Sequence, residues 1–278
     1  MDVTYLYTPA LRADSLVANR ESIAADVVVL DLEDSTHFNA KDRARAKLGE
    51  FDTTPLTELG IKIAIRINPI FSYAGVRDLE LIRTLSLKDR CHFTFVFLPK
   101  VNHPNEVKIY KELFASLPTP PPVCTFIETV EAVDNADGIA SVSDGVCFGQ
   151  ADLVAEMYSP NETFIDYARA RLCVAAARYN VPAIDTNSFD IEDMASFEAE
   201  CVLARGYGFT GKAAIHPKQV PVISEVFAAR PETIAKYKAT VEAYQKSDTG
   251  FVIMDGEVIA PPFVAKARRM LARYANGK

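Results

Sequence analysis

No stretch of this 278-residue sequence approaches the roughly 18 consecutive apolar residues that a membrane-crossing helix needs. The opening Met-Asp-Val-Thr-Tyr-Leu-Tyr-Thr-Pro9 has no basic segment followed by an apolar core, so no secretory leader is expected, and the chain reads as soluble and cytoplasmic. Long basic runs are also missing. Thirty Lys and Arg against 37 Asp and Glu leave a net charge of −7, which argues against a nucleic-acid or anionic-membrane surface. Cysteine is scarce and unpaired: Cys91, Cys124, Cys147, Cys173 and Cys201 include no Cys-x-x-Cys, and an odd count fits neither a disulfide frame nor a zinc site. They read as reduced, buried fillers. The four histidines have no zinc spacing. Gly-x-x-x-x-Gly-Lys-Ser/Thr and Gly-x-Ser-x-Gly are both absent, so P-loop and serine-hydrolase chemistry lack their signatures.

What is present is a repeating unit. Short apolar, β-branched runs at 3–8, 27–32, 62–67, 93–98, 123–127, 145–148, 181–185 and 213–215 are nearly continuous in hydrophobicity, as in parallel strands buried on both faces. Between them, 13–24, 40–48, 76–85, 105–116, 130–140, 164–179, 191–205 and 220–229 read as helices, with Asp190 as an expected N-cap. Eight strand-helix units predict a (β/α)8 TIM barrel over 1–230, with a doubly wound open sheet as the alternative. Arg230-Pro231 then introduces a tail, 231–278, with a helix near 232–246, a turn at Asp255-Gly256 and a helix near 262–274. This tail is expected to be a C-terminal helical lid or oligomerisation arm.

Barrel chemistry collects at the C-terminal strand ends. The residues there are Asp31, Glu33 and Asp34, then Arg66 and Asn68, Lys100, Glu128, Gln150 with Asp152, Asp185 with Asn187, and His216. Glu128 and Asp152 follow neighbouring strands and suit Mg²⁺, which takes one or two protein carboxylates and leaves other positions to water and a bidentate 2-oxo acid. Arg66 can grip a carboxylate with its planar fork and stabilise an enolate oxygen. Glu33 or Asp34 can orient this cluster or move protons. Lys100 can also be read as a Schiff-base lysine. His216 is open between a loop cap and a role in the site.

The segments Val29-Leu-Asp-Leu-Glu-Asp34, Lys41 with Arg43 and Arg45, Ile65-Arg-Ile-Asn68, Leu98-Pro-Lys-Val101, Phe126-Ile-Glu-Thr129, Phe148-Gly-Gln-Ala-Asp152, Pro182-Ala-Ile-Asp-Thr186 and Gly211-Lys-Ala-Ala-Ile-His-Pro217 cover nearly the whole chain. In order and spacing they resemble the citrate lyase beta-subunit-like group, which includes malyl-CoA and citramalyl-CoA lyases. The resemblance implies a carbon–carbon lyase with Mg²⁺ on Glu128 and Asp152. Arg66 and the Gly149, Gln150 and Ala151 segment would hold a small 2-oxo acid or its hydroxyacyl adduct. It also implies a CoA thioester partner, with Arg12 as a coenzyme contact, and a homotrimer or homohexamer. The hydroxy-oxo-acid aldolases resemble the chain too, but carry a His base where Asp34 stands, which favours the lyase branch. Two positions depart from the pattern: Val3 replaces a first-strand Arg that helps hold CoA, and Ala260 replaces an acid on the C-terminal turn, with Asp255 five residues earlier. These departures leave a non-catalytic oxo-acid-binding or complex-forming relative as the alternative.

Overall fold

The computed structural model describes residues 2–87, 93–159 and 161–275. They form two compact units, Val3–Phe227, and Ala228–Lys278 together with Met1–Asp2. In the first unit eight strands close a parallel barrel in sequence order, with β1 (Thr4–Pro9), β2 (Val27–Asp31), β3 (Lys62–Arg66), β4 (Phe93–Leu98), β5 (Val123–Ile127), β6 (Gly145–Phe148), β7 (Ala183–Asp185) and β8 (Gly211–Ala214). Closure is made where Thr4, Tyr5 and Leu6 pair with Lys212, Ala213 and Ala214. The expected (β/α)8 architecture is the observed one, and the open-sheet alternative is excluded by that last pairing.

Inward side chains alternate with outward ones along each strand. Tyr5, Val27, Val29, Ala64, Phe95, Phe97, Cys124, Phe126, Cys147 and Ile184 fill the barrel, with Tyr7 packed on them. Phe97 sits at the centre, with Tyr5, Tyr7, Phe95 and Phe126 at ring-centroid distances of 5.9–6.2 Å, mostly edge-on. Outward residues pack under the helices, among them Leu30, Ile63, Ile65, Phe148 and, without any exposure, Lys212. Cys124, Cys147, Cys173 and Cys201 are free and buried, as expected, and Cys91 lies outside the described residues. No described helix is long and apolar enough to cross a membrane.

Several helices differ from expectation. The helix expected at 13–24 is a helix Ala13–Ala18 and a 3-10 turn Arg20–Ser22, with Asn19 between them turning its amide onto the Ser15 carbonyl. The segment 130–140 is two helices, Val130–Asp134 and Ala136–Ala140, broken at Asn135, whose side chain donates to the Asn102 carbonyl. Asp190 does not cap a helix. Its carboxylate accepts from the Glu192 and Asp193 amides in a turn, and Asp193 caps the helix Met194–Tyr207 through the Ser196 amide. An additional short helix, Gln150–Ala155, directly follows β6.

In the second unit a helix Pro231–Gln245 precedes an antiparallel hairpin, β9 (Val252–Met254) and β10 (Glu257–Ile259), and a last helix Pro261–Ala275. Asp255 and Gly256 turn the hairpin with φ of 53° and 80°, the two left-handed residues that a tight two-residue turn requires.

Candidate active site

The cavity at the C-terminal ends of the strands holds about 350 Å³. Asp31, Asp34, Arg66, Glu128, Gly149, Ala151 and Asp152 are among its lining residues.

Arg66 ends β3 in register with Asp31 at the end of β2. The pair is bidentate, with Nε donating to Oδ1 at 2.7 Å and an Nη to Oδ2 at 2.6 Å. The Tyr7 and Phe126 rings lie 5.3 and 5.7 Å from the guanidinium carbon, so the cation is held in its plane by a carboxylate and by two aromatic neighbours. Glu33 Oε2 stands 2.9 Å from the remaining Nη, but its angle makes no hydrogen bond. The more exposed Asp34 lies farther off at 3.7 Å. Asp31 takes up most of the guanidinium charge, and its carboxyl is held below the usual range despite its burial, by the charge and hydrogen bonds of Arg66. Burial pushes the Glu33 carboxyl up to about 8, with Asp34, Glu128 and Asp31 adding to the rise and Arg66 opposing it. The loop that carries Glu33 is pinned from behind: Lys41 Nζ donates to the Leu32 and Glu33 carbonyls and to Asn68 Oδ1, and Asn68 in turn donates to Asp78, which also holds Arg45.

Glu128 follows β5 and is 1% exposed; Asp152 lies in the first turn of the helix after β6. Lys100 stands between them, its ammonium in contact with Asp152 and 3.7 Å from Glu128 Oε1. Its backbone is left-handed, with φ of 54°, an unfavourable conformation for a residue with a Cβ, and this turns the Lys100 amide to donate to Glu128 Oε1 at 2.6 Å. Burial first, with repulsion from Asp152, pushes the Glu128 carboxyl up to about 7. Two carboxylates converging on one ammonium form a cation site with a stand-in cation. Among the described residues no group of three or more His, Cys, Asp and Glu is placed to hold a metal ion, and Mg²⁺ is the divalent ion that accepts only one or two protein carboxylates. The donor set fits it.

Gly149 is required at this point. A Cβ there would stand 2.4 Å from Glu128 Cβ and 2.5 Å from Glu128 Oε2. Ala151 lines the cavity beside it. Gln150 does not line it: Oε1 of Gln150 accepts from Arg169, a buried side chain stacked over Phe148 behind the wall. Arg12 is also outside this cavity. It lines a second one of about 410 Å³ with His216, and the two cavities share Tyr7, Pro9 and Ile215. The His216 Nδ1 accepts from the Lys218 amide as a local cap. Val3 precedes the first residue of β1, four residues before Tyr7, so at about 3.3 Å per residue it lies on the order of 13 Å from the mouth. Val3 lines neither cavity.

Sequence reasoning missed Tyr7 as a site residue. It stands on the first strand with no charge to mark it, and only its place at the strand end, just before Thr8-Pro9, could have signalled it.

Known proteins resemble this chain over most of its length. The model of the HpcH/HpaI aldolase/citrate lyase family matches residues 4–217. The human mitochondrial citramalyl-CoA lyase is 28% identical over 95% of this chain and 82% of its own length. Among solved structures, CitE from Mycobacterium tuberculosis in complex with magnesium, acetoacetate and coenzyme A is 26% identical, with a TM-score of 0.76 over 99% of this chain and 98% of that one. The citrate lyase beta subunit of the same organism, with oxaloacetate and magnesium, is 26% identical with a TM-score of 0.69 over 82% of this chain and 97% of that one.

Proposed function

The chain belongs to the HpcH/HpaI aldolase/citrate lyase family, and on that premise we propose a Mg²⁺-dependent carbon–carbon lyase. It joins or separates a small 2-oxo acid of the pyruvate, glyoxylate or oxaloacetate type and an acyl fragment, carried as a CoA thioester or as a free hydroxy acid. The observation that carries this reading is the pairing, in one cavity, of two carboxylates gathered on a cation with a plane-locked arginine.

Glu128 and Asp152 would hold Mg²⁺, which supplies Lewis-acid polarisation of the oxo-acid carbonyl. Arg66 has five N–H donors, of which two serve Asp31 and one faces Glu33, leaving two for a ligand carboxylate or a developing oxyanion. Because Asp31 and the two rings fix its plane, Arg66 needs little rearrangement as charge appears, which is the condition for electrostatic catalysis. Glu33 does not line the cavity; protonated near neutral pH beside an Arg66 Nη, it is suited to orienting the cluster from behind. Gly149 and Ala151 supply the close backbone wall, and Arg12 in the second cavity would meet the anionic end of a thioester carrier. The assembly is a homotrimer or homohexamer in this reading, with the C-terminal unit as its arm; Phe251, Ile253 and Val258 are exposed on its hairpin.

The test is calorimetry with Mg²⁺ and pyruvate or oxaloacetate, followed by assays of malyl-CoA and citramalyl-CoA cleavage. Glu128→Ala and Asp152→Ala should each lose metal and oxo-acid binding together, and Arg66→Met should lose the oxo acid while keeping the metal. Retention of both ligands by both carboxylate variants sinks the reading. Ala260, standing where the resemblance puts an acid, favours a second reading in which the site binds an oxo acid without cleaving anything. Turnover by the native protein eliminates it; inertness, with activity gained in Ala260→Asp, establishes it.

A further inference from the structure

The helix that carries Asp152 is six residues long, Gln150–Ala155, and so short a helix has no stability of its own in water. Its place at the barrel mouth is set by what its ends hold. At the C-terminal end Glu156 accepts from the Val130 amide at 2.8 Å in an exposed bond. At the N-terminal end Gln150 accepts at 2.9 Å from Arg169, which is 7% exposed and projects from the long helix Glu162–Tyr179. Gln150 and Asp152 share the first turn of the short helix, so this contact lies within one turn of a carboxylate assigned to Mg²⁺.

Arg169 serves Gln150 in preference to a nearer match in charge. The Asp185 carboxylate stands 3.7 Å from the guanidinium, its Oδ1 has no hydrogen-bond partner, and the Arg169 Nε is unpartnered as well. A charge-assisted pair between them would satisfy two buried groups that are costly to leave bare. Lys212 instead neutralises Asp185 through Oδ2 at 2.6 Å, and the Phe148 and Tyr207 rings, 5.5 and 6.0 Å from the guanidinium carbon, brace Arg169 against the neutral amide. Phe148 is the last residue of β6, directly before Gly149 and Gln150, so the guanidinium rests on the strand from which the short helix departs. An arginine that only filled the wall would close on Asp185.

We propose that Arg169 is a positioning residue that acts through Gln150: it fixes the short helix on the barrel and so sets the separation of Asp152 from Glu128. The inference rests on the assignment of Mg²⁺ to those two carboxylates and adds the support behind one of them. Glu128 is buried and held by the Lys100 amide, whereas the Asp152 side chain is 35% exposed and takes its place from its helix. Mg²⁺ demands a near-ideal octahedron, so a helix free to tilt costs affinity directly. Groups that hold a metal ligand from behind commonly govern affinity by about 10- to 100-fold.

The experiment is Mg²⁺ calorimetry on the full chain with Gln150→Met, Arg169→Met, the two combined, and Gln150→Glu. Each single methionine variant should bind Mg²⁺ about tenfold more weakly than wild type, and the combined variant should also lose about tenfold, not about a hundredfold, because both act through one contact. Gln150→Glu keeps an acceptor for Arg169 and should bind Mg²⁺ at least as tightly as wild type. In excess Mg²⁺, pyruvate affinity should return to within about threefold of wild type in every variant, since neither residue lines the cavity. Gly145→Ala, destabilised on the same strand, should keep its Mg²⁺ affinity and so separates positioning from general loosening. If Arg169→Met does not fold, Gln150→Met against Gln150→Glu decides. Gln150→Met within about twofold of wild type overturns the inference, as do multiplying losses in the combined variant, a Gln150→Glu as weak as Gln150→Met, or equal loss in Gly145→Ala; each leaves the lyase reading standing. A wild type that binds no Mg²⁺ removes the cation site from that reading, and this inference with it.

Discussion

Replacing Gly149 by alanine isolates the geometry of the cation site. Gly149 has φ of −108°, within reach of an alanine, so the substitution adds no left-handed strain and its cost is steric. The new Cβ would meet Glu128 Cβ at 2.4 Å and Glu128 Oε2 at 2.5 Å, whereas ordinary contact begins near 3.4 Å. About 1 Å must open. Glu128 is buried, and its Oε1 is already fixed by the Lys100 amide at 2.6 Å, so it cannot yield without breaking that bond. Overpacking of this kind costs about 1–3 kcal/mol, which at about 2–4 °C per kcal/mol lowers the melting temperature by roughly 2–12 °C. Mg²⁺ tolerates little departure from its octahedron of short bonds, so a displaced Glu128 should weaken it at least tenfold, or about 1.4 kcal/mol. Thermal melts and Mg²⁺ calorimetry measure the two effects. Gly145→Ala is the control: its Cβ meets the Cys124 Sγ at 3.2 Å and Pro182 at 3.3 Å, away from the carboxylates, and should lower stability while leaving Mg²⁺ affinity intact. If Gly149→Ala binds Mg²⁺ within twofold of wild type, Glu128 is not a ligand in the position described.

Lys212 lies wholly buried, with its ammonium 2.6 Å from Asp185 and over the Phe197 ring. Lys212→Met should cost about 3–5 kcal/mol in urea unfolding by stranding the carboxylate, and Lys212→Met with Asp185→Asn should recover a large part of that loss; equal losses would show that no uncompensated charge was involved. Glu33 gives a pH signature. With a folded pKa raised to about 8 against 4.5 unfolded, the native state holds the proton more tightly, so stability should fall as pH rises from about 4.5 to 8. Glu33→Gln should flatten that decline in unfolding measured across the same range, and an unchanged slope would mean that Glu33 is ionised throughout.

Much of the barrel and its mouth was legible in order. Continuous apolar runs ending in polar residues marked all eight strands, and Asp255-Gly256 marked the hairpin, because parallel strands bury both faces and a tight turn needs left-handed residues. Helix interruptions were less visible. Asn19 and Asn135 divert the chain by hydrogen bonds to carbonyls, one local and one 33 residues away, and the short helix after β6 carries too few residues to show a period. Glu33, Asp34, Arg66, Glu128 and Asp152 could be named because charges at strand ends are conspicuous against apolar runs.

Only the closed barrel decided what those charges do. Chain order alone leaves Arg66 free to grip a ligand with its whole fork. The β2–β3 register instead commits two of its donors to Asp31, and that commitment leaves buried Glu33 to keep its proton. Gln150, two residues from Asp152, turns to Arg169 because the short helix rotates it behind the wall, while Tyr7, a neutral residue on the first strand, reaches the cavity because β8 closes back onto β1. Residue type and spacing determine where the strands end and which charges stand at those ends, since period and polarity are local. Their partners, burial and protonation depend on neighbours tens of residues away, and these are set when the eighth strand pairs with the first.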